Sequence, residues 1–431
     1  MRPSPRDCVV TGVGAVCAVA RDHAELLDAI ERGRDGIRRI GRFDTVEFHV
    51  HTGAEVPDWD GADPAESAWD RCLRFALRAA REAVLDAGIS GVAPERIGLV
   101  FGTGLADQDR AVHELAEALA DALGVRGPAV TISTACSSSA TAVGIASDLL
   151  EGASADVVVA GGADVLTPEV FAGFHALGVL TPGKCAPFSD SFGTTLGEGA
   201  GFMVLERADT ARRRKATPRA VLAGYGLSAD GYHETSPDPY GGGVRRAVVA
   251  ALSDAALTPP EVGYVNAHGS GTEANDPAEW RGISKALSGN DRVPVSSSKG
   301  ALGHAQGAAG ALEAIVTILA MSRDRLAPTL HFSGPRRFAP PDPVPGPRPR
   351  PARYRHALCL NSAFGGSNAA LVLSRPAGGG PEAPSTARAR APVRILGMGL
   401  VGPFGLGIEA FRSAPRPTAG TVPDFELGSL A

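Results

Sequence analysis

Val130–Glu151 reads VTISTACSSSATAVGIASDLLE, and the fold turns on this stretch. Its first residues, Val130-Thr131-Ile132, are β-branched and read as a strand. Its remainder, Ser137–Glu151, is small or apolar almost all round, the pattern of a helix buried between layers rather than laid on a surface. Between them sits Thr134-Ala135-Cys136, a cysteine at a strand-to-helix turn. There the helix dipole and free N–H groups would stabilise a thiolate and lower its pKa, and the same N–H groups can hold an oxyanion. Taken alone, the cluster equally fits a buried inert cysteine.

Outward from this unit the same alternation repeats. Short β-branched runs end in glycine at 9–14, 97–104, 157–164 and 265–271, and read as buried strands followed by tight turns. Ala-rich helical patterns occupy 67–87, 107–123, 137–151, 242–256, 274–287 and 307–321. The last of these, Gly307–Met321, is as apolar as Ser137–Glu151. Strands alternating with helices predict an α/β fold. Arg212–Lys215 reads as a connection, and a second α/β run starts at Ala220, so two similar halves are expected, 1–215 and 216–375. A loop with eight prolines from Pro335 to Pro351 precedes a final strand at Ala357–Leu360. Residues 376–392 are rich in Pro, Ala and Gly and read as a linker. In the tail, 393–431, Gly397, Gly399 and Gly402 fit G-x-G-x-x-G, but Pro403 follows and no helix or acidic partner comes after it, so a dinucleotide site is not supported. The tail instead resembles Val10–Val16, as the start of a second copy.

Bulk properties narrow the function. The chain has 431 residues, 44% hydrophobic and 21% charged, with a formal net charge of −5, close to ordinary soluble values. No basic stripe is interleaved with aromatics, which argues against nucleic acid. The Arg-rich runs at Arg212–Lys215 and Arg348–Arg355 read as solvated loops. The six cysteines are scattered without a CxxC pair, so neither a disulfide framework nor a zinc knuckle is expected. No apolar run reaches the roughly 18 residues of a membrane helix, and the start does not read as a signal peptide. The expectation is a cytoplasmic protein with reduced thiols and no membrane partner.

Three further clusters can carry chemistry. In Asn266–Asp276, NAHGSGTEAND, His268 follows a strand and sits in a loop, a placement suited to catalysis and also to a structural hydrogen bond. In Ser296–Gly310, SSSKGALGHAQGAAG, His304 lies just before the second apolar helix, and Lys299 precedes it. A buried lysine needs a carboxylate, and Glu313 within the apolar helix is the candidate. In Phe364–Asn368 the glycines fit either close backbone approach to a site or a plain turn. Cys136, His268 and His304 share no HxxxH or CxxC spacing, so a metal site is not expected.

At these four clusters the sequence resembles the β-ketoacyl-carrier-protein synthases of the thiolase-like superfamily, the elongating synthases of type II fatty acid synthesis and the ketosynthases of type II polyketide systems. TACSSS, NAHGSGTEAND, SSSKGALGHAQGAAG and AFGGSN occur in the family's order. So do GFHALGVLTPGKCAPF, GTTLGEGAGFMVLE and GYGLSADGYHETSP, and the likeness covers 6–375. The resemblance implies a five-layered αβαβα fold of two similar halves. It implies that Cys136 accepts the acyl group, that His268 and His304 serve malonyl decarboxylation, and that Lys299, Glu313, Asp276 and Thr272 support them. Phe364 corresponds to a gating aromatic whose N–H joins that of Cys136 in an oxyanion hole. Two histidines separate this class from thiolases and initiating synthases.

The implied reaction is decarboxylative Claisen condensation with malonyl-acyl carrier protein. It needs no cofactor, the substrates arriving on the carrier's phosphopantetheine. The implied partners are the acyl carrier protein and a second subunit, as a homodimer or as a heterodimer with a chain-length-factor-like chain. Two departures stand out: the chain is shorter than its relatives between Gly104 and Cys136, and NSAFGGSN replaces the usual SFGFGGTN. A non-elongating acyltransferase and a non-catalytic chain-length partner are the competing readings, opposed by the paired histidines and by Cys136 respectively.

Overall fold

Ten strands carry the fold in this computed structural model, which describes residues 8–58, 66–104, 110–376 and 394–402, together with 405–406, 409 and 412. They are β1 (Cys8–Cys17), β2 (Ile97–Gly102), β3 (Ala129–Ile132), β4 (Val157–Asp164), β5 (Gly199–Arg207), β6 (Ala220–Ala229), β7 (Val262–Asn266), β8 (Val295–Ser296), β9 (His356–Ser362) and β10 (Ser367–Ser374). The first five lie in the order β3-β2-β4-β5-β1 and the second five in the order β8-β7-β9-β10-β6. The parallel and antiparallel pairings also match strand for strand. The two sets join only where Val9 and Val10 of β1 meet Val221 and Ala220 of β6.

Eight helices matter to the site: α1 (His23–Arg32), α2 (Ala68–Ala87), α3 (Glu114–Leu123), α4 (Ser138–Glu151), α5 (Pro168–Ala176), α6 (Gly242–Asp254), α7 (Asn275–Ala286) and α8 (Ala309–Ser322). Helices α2 and α3 cover the outer face of the first strand set, α6 packs on β6 and β10 of the second, and α7 packs on α6. Helices α4 and α8 touch strands of both sets, which makes five layers, αβαβα. Their composition explains their place. Ala309–Met321 is buried throughout, and in α4 the Ala, Ser and Gly side chains let the two helices cross closely. The Ala311 N–H donates to Ser139 Oγ at 2.9 Å. Among the described residues no helix is long and apolar enough to cross a membrane.

Three sequence expectations change. The strand at 265–271 ends at Asn266, because the residues that follow are drawn into a loop by side chains described below. Ala357–Leu360 is not the last strand, since β9 turns at Phe364–Gly366 and returns as β10, paired with both β9 and β6. Gly365 and Gly366 make that turn with φ of 79° and 76°, a region open to glycine and strained for other residues. Arg212–Lys215 is not a solvated loop. A short helix, Ala208–Arg214, places Arg214 on the fully buried Glu206 at 2.8 Å and on the Ala87 and Gly88 carbonyls that end α2. The linker expectation, 376–392, lies outside the described residues beyond Arg375 and Pro376. Of the tail, Val401–Gly402 pairs antiparallel with Gly405–Leu406, and 413–431 lies outside the described residues.

Candidate active site

Cys136 stands on a strained turn. Ala135, with φ of 49°, enters a left-handed conformation that costs a residue with a Cβ about 1 kcal/mol or more, and Ala135–Ser137 forms a single 3₁₀ turn before α4. The serines of TACSSS hold it. Ser137 Oγ donates to the Thr134 carbonyl at 2.8 Å, and Ser138 Oγ accepts from the Thr134 N–H at 2.9 Å. The backbone N–H groups of Cys136 and Phe364 pull the thiol pKa down, and they are the two donors that the family resemblance assigns to an oxyanion hole.

The expected lowering of the thiol pKa does not occur. Burial pushes Cys136 up to about 12, against the downward pull of Lys299 and of the two N–H groups, and the Asp164 carboxylate adds to the rise. Desolvation wins because the side chain is 7% exposed and the favourable donors are few. Cys136 rests as a neutral thiol.

His268 and His304 come from different elements and meet ring to ring, centroids 5.1 Å apart and planes at 82°. His268 follows the end of β7. Its Nδ1 faces the Lys299 ammonium at 3.3 Å, and Lys299 also donates to the His268 carbonyl at 2.7 Å. An ammonium only donates, so Nδ1 accepts and the ring proton sits on Nε2. His304 Nδ1 accepts from the Gln306 N–H at 3.2 Å, which fixes the same tautomer. Burial first, and Lys299 second, push both imidazoles well below their ordinary pKa, with His304 adding to the effect on His268. Both rings are neutral near pH 7, each with one N–H to give.

Lys299, 1% exposed, is paired with Glu313. Glu313 also accepts from Asn361 Nδ2 at 2.7 Å, and burial raises its pKa against the lysine's pull. Cys136, His268, His304, Phe364 and Thr272 line one cavity of about 330 Å³. Thr272 Oγ1 and Ser270 Oγ are 2.9 Å apart on its wall. Asp276 does not line it. Fully buried, it accepts from the Phe188 and Gly271 N–H groups at 2.7 and 3.0 Å and so anchors the loop beneath, with its pKa raised by burial.

The structure adds residues that sequence reasoning missed. Phe174 of α5 stacks on Phe364, centroids 5.3 Å apart, and meets His304 edge-on. Glu279 of α7 accepts the His268 and Gly269 N–H groups at 2.7 and 2.8 Å, bending the chain out of β7, and burial raises its pKa to about 7. Asp164 ends β4 and accepts from Thr103 Oγ1, the Gly104 N–H and the Gly307 N–H. Phe174 lay in a quoted stretch without being singled out. Asp164 had a readable signal, a carboxylate closing the apolar run VVVAGGAD. Among the described residues no cluster of three or more His, Cys, Asp or Glu is placed to hold a metal ion.

Comparison with known proteins matches residues 6–211 to the family model described as "Beta-ketoacyl synthase, N-terminal domain" and residues 219–333 to "Beta-ketoacyl synthase, C-terminal domain". The 3-oxoacyl-[acyl-carrier-protein] synthase 2 of Vibrio cholerae is 34% identical over 412 residues, covering 86% of this chain and all of the relative. That of Synechocystis is 33% identical over 406 residues, covering 85% and 97%. Among solved structures, the ishigamide ketosynthase/chain length factor superposes with a TM-score of 0.81 at 32% identity, covering 87% of this chain and all of that one. A type II polyketide ketosynthase solved with its acyl-carrier protein and bound to the hexaketide gives 0.79 at 26%, covering 86% and 100%. A β-ketoacyl synthase from Burkholderia phymatum gives 0.79 at 30%, covering 86% and 100%.

Proposed function

The chain belongs to the β-ketoacyl synthase family, elongating acyltransferases of fatty acid or polyketide biosynthesis, and from that premise we propose how its own residues divide the condensation. The Cys136 thiol attacks an acyl thioester. The S–acyl bond to Cys136 forms, the bond to the carrier sulfur breaks, and the thiol proton leaves with the departing pantetheine sulfur. Malonyl carrier then enters, its pantetheine arm along the Ser270–Thr272 wall. The bond to its carboxylate breaks and carbon dioxide departs, leaving an enolate. The Nε2–H groups of His268 and His304 donate to that enolate oxygen. The enolate carbon attacks the Cys136 thioester, and the resulting oxyanion takes the Cys136 and Phe364 N–H groups. Collapse releases the 3-ketoacyl carrier and returns the sulfur, which regains a proton. The scheme uses no bound metal or redox group.

One observation carries this reading: two neutral imidazoles with the same tautomer on the wall of the cavity that Cys136 also lines. The test is intact-mass analysis after incubation with acyl carrier thioesters. One acyl group should appear, on Cys136, and addition of malonyl carrier should discharge it as 3-ketoacyl product. Acylation without discharge would favour a non-elongating acyltransferase.

For partners, the reading takes an acyl carrier protein as substrate carrier and a chain-length-factor-like subunit, rather than a second copy, as the other chain. Likeness to a solved ketosynthase/chain length factor supports this, as does the Val10–Val16-like tail. A homodimer with full turnover by itself in native mass spectrometry would overturn the heterodimer. The compartment follows the same reading, cytoplasmic.

A further inference from the structure

Arg336 lies in the Pro-rich segment just past residue 333, where the match to the family's C-terminal model ends. Its side chain is 4% exposed. Its guanidinium makes four hydrogen bonds, all to backbone carbonyls of two loops. Nε donates to the Ser189 carbonyl and Nη2 to the Ser191 carbonyl at 2.8 Å. Nη2 also reaches the Gly271 carbonyl at 2.9 Å, Nη1 donates to the Thr272 carbonyl, and Nη1 faces the Asp276 carboxylate at 3.5 Å. The ring of Phe192 lies over the guanidinium, 5.2 Å from it.

These two loops form adjoining parts of the cavity wall. Phe192, Gly193 and Thr194 line it from one side, and Ser270, Thr272, Glu273 and Asn275 from the other. Only one backbone bond between the two stretches adjoins the clamp, from the Gly193 N–H to the Gly271 carbonyl, the same carbonyl that Arg336 grips. The arginine's own backbone is tied in as well, by its N–H to the Phe188 carbonyl and by a bridge between Ser189 and Pro335. Phe192 is 54% exposed although it is large and apolar, so the cation beneath it is what seats it at the cavity's lip.

We propose that Arg336 is a positioning residue for the condensation: it fixes the 189–194 loop against the 270–275 loop and thereby sets the width of the channel that the pantetheine arm enters, without touching the reacting atoms. This rests on the reading of the Ser270–Thr272 wall given above. The fork geometry is the essential property. A lysine keeps the positive charge beside Asp276 but carries its three donors on one atom, and cannot span carbonyls on two loops.

The test compares the parent, Arg336→Lys and Phe192→Ala in the full-length protein, with two acyl donors for Cys136. One is a pantetheine thioester, and the other is a truncated N-acetylcysteamine thioester too short to reach the lip. Arg336→Lys should raise KM for the pantetheine thioester by about tenfold, the worth of one charge-assisted hydrogen bond. Its kcat, and both constants for the truncated donor, should stay near the parent's. Phe192→Ala keeps every hydrogen bond of the clamp and should show the same split, smaller in size. Equal losses on both donors, accompanied by a fall in melting temperature, would mean that Arg336 only stabilises the fold. Parental kinetics on both donors would equally overturn the proposal. If the parent itself takes no acyl group from either donor, the failure lies with the condensation reading instead.

Discussion

Each half of the molecule turns into its central helix through the same backbone device, and the two turns have opposite fates. In the first half Ala135 takes φ of 49°, a 3₁₀ turn covers Ala135–Ser137, and α4 runs Ser138–Glu151. In the second half Gln306 takes φ of 51°, a 3₁₀ turn covers Gln306–Ala308, and α8 runs Ala309–Ser322. Cys136 and Gly307 each stand two residues before the first residue of their helix. Cys136 lines the cavity, whereas the Gly307 N–H is taken by the Asp164 carboxylate at 2.6 Å. A Cβ on Gly307 would stand 2.5 Å from that same oxygen, so no side chain fits there. A repeated scaffold therefore supplies two elbows. The one left open holds Cys136, the proposed nucleophile. The one closed by a carboxylate from the other half becomes a clamp that fixes His304, three residues upstream, through the Gln306 N–H. Strain of this kind persists where surrounding contacts over-determine it, and here the open elbow is tied down by the serines of its own turn and the closed one by Asp164.

Cys136→Ala strikes the open elbow and has the largest expected effect. Condensation should fall by at least about a thousandfold with little change in melting, since a small side chain replaces a small one. Residual 3-ketoacyl product in a discontinuous assay would break the contrast between the elbows. His304→Ala strikes the group that the closed elbow positions. Carbon dioxide release from malonyl carrier should drop on the order of a hundredfold, the cost of one oxyanion donor, while acyl mass still accumulates on Cys136. Unchanged decarboxylation would show that the closed elbow serves stability alone. Lys299→Met lies between the two turns. It leaves Glu313 buried without its cation, costing about 3 kcal/mol, and frees His268 to change tautomer, so turnover should fall about tenfold with melting. Parental melting and turnover together would remove Lys299 from the network.

How far this was legible in the sequence follows the range of the interactions. Helices α4 and α8 were readable because all-round small and apolar composition is a local property, and the strand-to-helix turn at Cys136 followed from its neighbours. Strand β5 was not read, since Gly199-Ala200-Gly201 looks like loop until β1 and β4 pair with it on both sides. The residues carrying the family resemblance do meet in one cavity, apart from Asp276, which anchors a loop, and Lys299 and Glu313, which stand behind His268. What stayed hidden are buried carboxylates and an arginine spent on backbone groups far along the chain: Glu279 on His268, Asp164 on Gly307, Glu198 on the Val56 and Leu166 N–H groups, and Arg336 on two loops. Their partners are amides and carbonyls, which every residue carries, so no residue type marks them. The thiol pKa was misjudged for a related reason. The helix end is visible in sequence, while the burial that outweighs it belongs to the folded cavity.

The smallest expected effect is also the one that separates the two elbows most finely. Asp164 holds the closed elbow shut and, as a buried negative charge, raises the pKa of Cys136 in the open one. Asp164→Asn should keep the clamp while removing that charge. Its amide oxygen can take the place of Oδ2 and accept the Gly104 and Gly307 N–H groups. Its NH₂ then faces Thr103 Oγ1, and a hydroxyl can turn from donor to acceptor. With the carboxylate neutralised, the thiolate of Cys136 becomes less unfavourable and its pKa falls. At any fixed pH below that pKa the thiolate fraction rises, and only the thiolate reacts with iodoacetamide. Alkylation at pH 8 should therefore quicken by about two- to fivefold, less than the tenfold that a whole unit would give. Melting and carbon dioxide release should stay near the parent's. An unchanged or slower alkylation rate, with melting preserved, would mean that the charge on Asp164 does not reach the open elbow and that the two turns communicate through geometry alone.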